Sequence, residues 1–184
     1  MSENISPAGM NRIVREIKIL KKSPLEGITV DISSDNLCEV YATIAGPENT
    51  PYEGGSFRMK LVLGPEFPAA PPKGFFLTKI FHPNVSSNGD ICVNVLKKDW
   101  SPALGIKHVL MVIRCLLIEP YPESALNEEA GKLLLEDYEG YSKHARLMTG
   151  IHAKATEPKK GDAGIKKCIS KEKKADKKKS LRRL

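Results

Sequence analysis

The sequence predicts an α+β domain followed by a basic tail. Three observations carry this. Apolar residues recur at helical spacing near both ends of residues 1–153, they alternate with polar residues in the runs between, and both patterns stop from Lys154 onward. Met10, Ile13, Val14, Ile17 and Leu20 lie on one side of a 3.6-residue repeat, which predicts an amphipathic first helix ending before Pro24. Ile28, Val30 and Ile32 alternate as strand residues do. So do Val40, Ala42 and Ile44, and then Phe57, Met59, Leu61 and Leu63. Gly46-Pro47, Gly54-Gly55 and Gly64-Pro65 mark turns, and short connections of this kind predict an antiparallel meander. A fourth strand is expected over Gly74 to Ile80. It follows Phe67-Pro68-Ala69-Ala70-Pro71-Pro72, whose prolines cannot donate to a ladder and predict a rigid extended connector.

From His82 to Trp100 no period is visible, and a long ordered loop is expected; loops of that length in a small domain are usually functional. Ile106, Val109, Leu110, Ile113, Leu116 and Leu117 form a strong helical stripe with a thin polar face. This predicts a central, largely buried helix ended by Pro120 and Pro122. Asn127 is placed to cap a following helix, with Glu128 and Glu129 in the first turn, where the helix dipole favours carboxylates. A last helix is expected from about Tyr138 to Ile151.

A chain of 184 residues, 41% of them hydrophobic, can bury one core. No apolar run is long enough to span a membrane, and Met1 to Met10 is too polar for a secretory signal. The expected location is the cytoplasm and nucleus, where thiols stay reduced. Cys38, Cys92, Cys115 and Cys168 include no Cys-x-x-Cys pair, which argues against a zinc or redox site and leaves no metal expected. Residues 154–184 hold 11 Lys and 2 Arg against 2 Asp and 2 Glu, a net of +9, so residues 1–153 carry −2 of the overall +7. The tail has no aromatic residue and too little apolar surface to offset its ordering entropy; a Lys-rich disordered or weakly helical extension is expected, with the boundary at 153/154.

The unpatterned loop holds Phe81-His82-Pro83-Asn84-Val85 and Asn88-Gly89-Asp90-Ile91-Cys92. A cysteine in a polar, glycine-flanked loop is expected to be reachable by another molecule, and a thiol is a good acyl carrier because its thioester stays reactive toward amines. His82, ten residues upstream, leaves a Cys–His hydrolase open on chemistry alone.

The combination of motifs resembles the ubiquitin-conjugating enzyme family. The His82-Pro83-Asn84 triplet with a cysteine eight residues after the Asn carries the likeness. So do Tyr52-x-Gly54-Gly55-x-Phe57, Phe67-Pro68-x-x-Pro71-Pro72, Trp100-Ser101-Pro102-Ala103 and Leu126-Asn127, spread over roughly residues 10–150. Within the family, Cys92-Val93-Asn94-Val95-Leu96-Lys97 and the ending Leu181-Arg182-Arg183-Leu184 resemble the S-type branch.

The resemblance implies that Cys92 accepts ubiquitin from an activating enzyme by transthiolation and passes it to a lysine. It implies no cofactor of the chain's own: ubiquitin is the covalent intermediate, and ATP is consumed by the activating enzyme. Asn84 would act near the thioester, on the loop or on the oxyanion, with His82 and Pro83 shaping the turn and Asn94 beside the cysteine. Asp99 is expected to be a structural hydrogen-bonder and Trp100 a packing residue. Where many relatives carry an Asp that helps activate the acceptor lysine, this chain has Ser124, so Glu128 or a carboxylate of the acceptor is expected to substitute. A lysine amine needs such help, since only about one in 10³ is neutral at pH 7. Cys38 and Cys115 are read as core or half-buried, although in the family the helix face near Cys115 contacts donor ubiquitin. Lys97 is a candidate for self-ubiquitination. The tail's Leu181, Arg182, Arg183 and Leu184 would dock on a ubiquitin ligase, the anaphase-promoting complex in S-type enzymes, with chain elongation as the outcome. A non-catalytic ubiquitin-binding scaffold is disfavoured by the presence of Cys92 with Asn84. A nucleic-acid adaptor is disfavoured by the acidic core and by a tail without aromatics.

Overall fold

In a computed structural model, residues 5–31 and 36–154 are described. The expectations for Ile32, for Cys168 and for the tail with its Leu181–Leu184 ending lie outside those residues. The order is α1 (Pro7–Lys22), β1 (Ile28–Asp31), β2 (Glu39–Ala45), β3 (Ser56–Val62), β4 (Lys73–Phe76), α2 (Val93–Lys98), α3 (Ile106–Ile118), a 3₁₀ turn (Pro122–Ser124), α4 (Glu128–Glu136) and α5 (Tyr138–His152). The fold is α+β. The four strands pair antiparallel in sequence order, with Val40 opposite Leu61, Ala42 opposite Met59 and Ile44 opposite Phe57. Those six side chains are buried on one face of the sheet, as period-two alternation requires.

The helices begin where side chains can satisfy free backbone donors. Ser6 accepts from Gly9 N–H at 3.1 Å to cap α1, and Asn127 accepts from Ala130 N–H at 3.1 Å to cap α4. Helix α3 is capped from outside its own segment. Glu16 of α1 accepts from Ile106 N–H at 2.6 Å, while its other oxygen holds Arg12 at 2.7 Å, and Arg12 in turn donates to the carbonyls of Pro102 and Leu104. Helix α1 therefore fixes the segment that leads from the long loop into α3 through side chains.

Three sequence expectations change. Strand β4 ends at Phe76, because Leu77 and Thr78 N–H both turn to the Arg58 carbonyl and leave the ladder. The proline segment is a turn, closed by Phe67 N–H to Gly64 O and Ala70 N–H to Glu66 O at 3.0 Å each. The long loop is ordered, but its second half is helix α2, and its first half is a hairpin-like turn laid on the sheet edge. There Phe76 N–H donates to Gly89 O at 2.8 Å and Ile91 N–H to Gly74 O at 2.9 Å. Gly89 has φ +94°, and a Cβ there would lie 2.2 Å from the Phe76 carbonyl oxygen, so the turn demands glycine.

His82 is fully buried and satisfied at both ring nitrogens. Nδ1 accepts from Asn84 N–H at 3.0 Å, which makes Nε2 the protonated nitrogen, donating to Leu116 O at 2.7 Å. Burial pushes its pKa down to about 4, against a smaller upward pull from the Leu116 carbonyl. A histidine in the unfolded chain titrates near 6.5, so as pH falls the unfolded state binds the proton first. His82 therefore contributes its stability in full above about pH 6.5, and loses about 3 kcal/mol of it between there and pH 4. Urea unfolding at pH 7 and pH 5 checks this. Wild type should lose about 2 kcal/mol through this residue over that interval, and His82→Gln, though less stable at pH 7, should lack that part of the slope. Parallel losses in the two proteins would contradict the buried neutral imidazole.

Candidate functional site

Cys92 sits where the edge turn becomes α2. Its N–H donates to Asn84 O at 3.0 Å and its carbonyl accepts from Leu96 N–H at 3.3 Å, so both flanks of the cysteine are held by backbone. The side chain is not open loop surface. Cys92 is 4% exposed, while the next residue, Val93, is 46% exposed, because starting a helix turns the following side chain outward. The expectation of a freely reachable thiol is corrected accordingly.

Asn84 is buried, and its side chain bridges to a segment 37–40 residues away. Nδ2 donates to Tyr121 O at 2.6 Å and to Ser124 O at 3.0 Å, and Oδ1 accepts from Tyr121 N–H at 2.7 Å. Both amide protons and an acceptor lone pair are thus used. Pro83 adds to the junction: its carbonyl accepts from Leu126 N–H at 2.7 Å and Asn127 N–H at 3.0 Å. The turn His82-Pro83-Asn84 consequently holds α3, the 3₁₀ turn and the start of α4 against the strand of chain that carries Cys92.

A groove of about 750 Å³ runs between α2, α3 and the 3₁₀ turn. Asn94, Asp99 and Ser124 line it, so the structure brings these three sequence candidates together. Ser124 is held by its backbone in the Asn84 bridge. No hydrogen bond to the Asp99 carboxylate is found among the described residues, which corrects its reading as a structural hydrogen-bonder; it lies open at the C-terminal end of α2. Glu128 is the first residue of α4 and exposed, and Lys97 is exposed on the far side of α2, facing a second groove of about 780 Å³ beside the proline turn. Cys38 also lines that second groove and is half-buried. Trp100 is half-buried against Phe67 and donates from Nε1 to Pro68 O at 3.1 Å.

Helix α3 buries the whole of its predicted stripe but not its opposite side. Six apolar residues face the core, but Met111, Cys115 and Ile118 project on the other side, Met111 being 47% and Ile118 53% exposed. The thin polar face is visible in the sequence; what periodicity does not show is that this apolar strip has no cover among the described residues. Sequence reasoning also missed Tyr121. Its backbone grips Asn84, and its ring lies beneath Lys98 Nζ, 4.1 Å from the ring centroid, with the ammonium also touching the hydroxyl. The flanking Pro120 and Pro122 were the available signal, since such a pair fixes the backbone of the residue between them.

Comparison with known proteins accords with this geometry. A family model described as ubiquitin-conjugating enzyme matches residues 12–149. Ubiquitin-conjugating enzyme E2 S-B of Xenopus laevis is 62% identical over 154 residues, covering 84% of this chain and 73% of the relative. Ubiquitin-conjugating enzyme E2 S of Aquarana catesbeiana is 53% identical and covers 99% of this chain and 98% of its own length. Ubiquitin-conjugating enzyme E2 22 of Arabidopsis thaliana is 60% identical over 83% of this chain, which spans 61% of that relative. Among solved structures, a ubiquitin-conjugating-enzyme structure from Plasmodium yoelii superposes with a TM-score of 0.74 at 37% identity, covering 84% of this chain and all of the other. With fold, motif order and whole-domain similarity in agreement, the chain belongs to the ubiquitin-conjugating enzyme family.

Proposed function

We propose that Cys92 is the residue that carries ubiquitin, and that the enzyme extends ubiquitin chains in company with the anaphase-promoting complex. Family membership supplies the partners in general terms: ubiquitin, an activating enzyme and a ligase. The observation that carries the residue assignment is the bridge from Asn84 to Tyr121 and Ser124, which sets the Cys92 segment against the groove lined by Asn94, Asp99 and Ser124. On this reading residues 1–153 perform the chemistry, residues 154–184 dock, and the enzyme works in cytoplasm and nucleus without a cofactor or metal of its own.

The reaction has two transfers. In the first, the Cys92 thiolate attacks the activating enzyme's ubiquitin thioester and displaces that enzyme's thiolate. In the second, a lysine amine attacks the Cys92 thioester, and the Cys92 thiolate leaves as the amine loses a proton. Asn84 acts on the loop: with both amide protons engaged, it has none free for an oxyanion unless one of those bonds is given up. The proton of the incoming lysine goes to a carboxylate from Glu128, from Asp99 across the groove, or from the acceptor protein, Ser124 being unable to take it. Lys97, exposed five residues after Cys92, is a site of self-modification. Nothing in the described residues favours nucleic acid or membrane as a partner, and among them no helix is long and apolar enough to cross a bilayer.

Three outcomes test this. Cys92→Ser should trap ubiquitin as an oxyester resistant to dithiothreitol, and Cys92→Ala should accept none on non-reducing gels; normal dithiothreitol-sensitive charging of Cys92→Ala would end the assignment. Asn84→Ala should still charge. It should raise hydrogen exchange at the Tyr121 amide by roughly 10–100-fold, the equivalent of about 1–3 kcal/mol for a buried bond lost, and slow discharge onto lysine. Slow discharge with unchanged exchange would return Asn84 to the oxyanion. Deleting Leu181–Leu184 should leave charging untouched and abolish the stimulation by the anaphase-promoting complex; equal stimulated rates would remove that partner while leaving the enzyme.

A further inference from the structure

The groove beside α2 is acidic as well as apolar. Its floor and wall include Met111, Val112 and the exposed Cys115, and its rim carries Asp99, Glu119 and Glu123. Among the described residues none of these three carboxylates lies within ion-pair distance of a cation. Lys98, the one lysine of the groove, is held over the Tyr121 ring, and three carboxylates against this one ammonium leave a surplus of two negative charges among them. A surface that combines bare hydrocarbon with unpaired carboxylates is complementary to a peptide that combines leucines with guanidinium groups. The same chain ends in such a peptide, Leu181-Arg182-Arg183-Leu184, behind Lys177, Lys178 and Lys179.

We propose that the chain's own C-terminal segment, Lys177 to Leu184, docks in this groove in cis and holds the enzyme back until a ligase takes the same four residues. Leu181 and Leu184 would lie against Met111, Val112 and Cys115, and Arg182 and Arg183 would pair with Glu119 and Glu123. Length permits it. The 30 residues after Lys154 span at most about 100 Å when extended, whereas a domain of 150 residues has a radius of gyration of about 15 Å, so every face of the core is within reach. Charge favours it, since a segment of net +9 is tethered to a core of net −2. Tethering also supplies concentration: a linked segment meets its site at an effective concentration on the order of 1 mM. Contacts with an intrinsic Kd of roughly 0.1–1 mM would then keep the groove about half to nine-tenths occupied.

The consequence for activity rests on the reading of Cys92 given above; the docking itself does not. Occupancy of the α2–α3 wall excludes another protein from the surface next to the thioester. A tail that leaves for a ligase therefore clears the groove at the moment the ligase is engaged. One double substitution should act in opposite directions in two assays. Leu181→Ala with Leu184→Ala should speed ligase-independent discharge of the loaded enzyme by roughly two- to tenfold, the inverse of the free fraction, and should lower ligase-stimulated discharge.

The test uses the full chain. Methionine-methyl NMR follows Met111, with the core-buried Met59 as internal reference. The double tail substitution should move the Met111 signal and leave Met59 in place, at protein concentrations that differ tenfold. Glu119→Lys should speed ligase-independent discharge as the tail variant does, and combining the two should add nothing further, because each by itself releases the same docked segment. An unmoved Met111 signal would overturn the proposal, as would additive kinetic effects. A Met111 shift that grows with protein concentration would also overturn it, by placing a second copy in the groove. If the loaded form never accumulates on Cys92, the kinetic arm falls with the reading of that cysteine while the NMR arm still decides the docking.

Discussion

The structure depends on a buried turn in which every carbonyl and every polar side-chain atom is taken. His82 donates to the end of α3 and accepts from Asn84; Pro83 accepts from the two residues before α4; Asn84 grips Tyr121 and Ser124 and accepts from Cys92. Burying so many donors and acceptors is tolerable only because each finds a partner, since one left alone costs about 1–3 kcal/mol. That requirement makes the junction rigid. Four separate stretches of chain meet there, and none can move without orphaning a group in the interior.

The sheet supplies the other support. Strand β4 is short, and the hydrogen-bonding edge beyond it is taken up by the turn that precedes Cys92. This placement relies on Gly89, whose left-handed backbone brings the chain within contact of Phe76. Further back, Glu16 and Arg12 of α1 pin the start of α3 and the carbonyls before it. The cysteine segment is thus fixed from the sheet on one side and from the helices on the other, while its own side chain is nearly covered. A nucleophile held this way is positioned by backbone, and what reaches it is governed by the grooves that flank α2.

Those grooves differ in character. The one beside the proline turn carries Lys73 and Lys97 with Glu66; the one beside α3 carries Asp99, Glu119 and Glu123, without an ion-pair partner among the described residues, over apolar side chains. A helix such as α3, with six residues buried and Met111, Cys115 and Ile118 left outside, is amphipathic toward its own core and apolar toward a partner. The division of charge in the chain, acidic in the folded part and basic behind it, gives that outer face an electrostatic preference.

Much was legible without coordinates. Period-two alternation at Val40–Ile44 and Phe57–Leu61 specified buried faces because a strand has only two sides, and Asn127 specified a helix start because a short amide can cap free N–H groups. The spacing of His82, Pro83, Asn84 and Cys92, with the motifs around them, was enough to point to the family. Other features came from contacts between residues far apart, which no local pattern records. The α2 helix after Cys92 is six residues, too short to show a period; the end of β4 is set by the Arg58 carbonyl of a neighbouring strand; and the capping of α3 by Glu16 crosses 90 residues. The sequence by itself determined which residues are apolar, which can cap, and which thiol sits among the motif residues. Only the tertiary structure decided that Cys92 is nearly covered, that Asn84 has no free amide proton, and that the described residues leave one face of α3 uncovered. Burial and hydrogen-bond partnership are properties of what packs against a residue, and a residue's identity does not contain them.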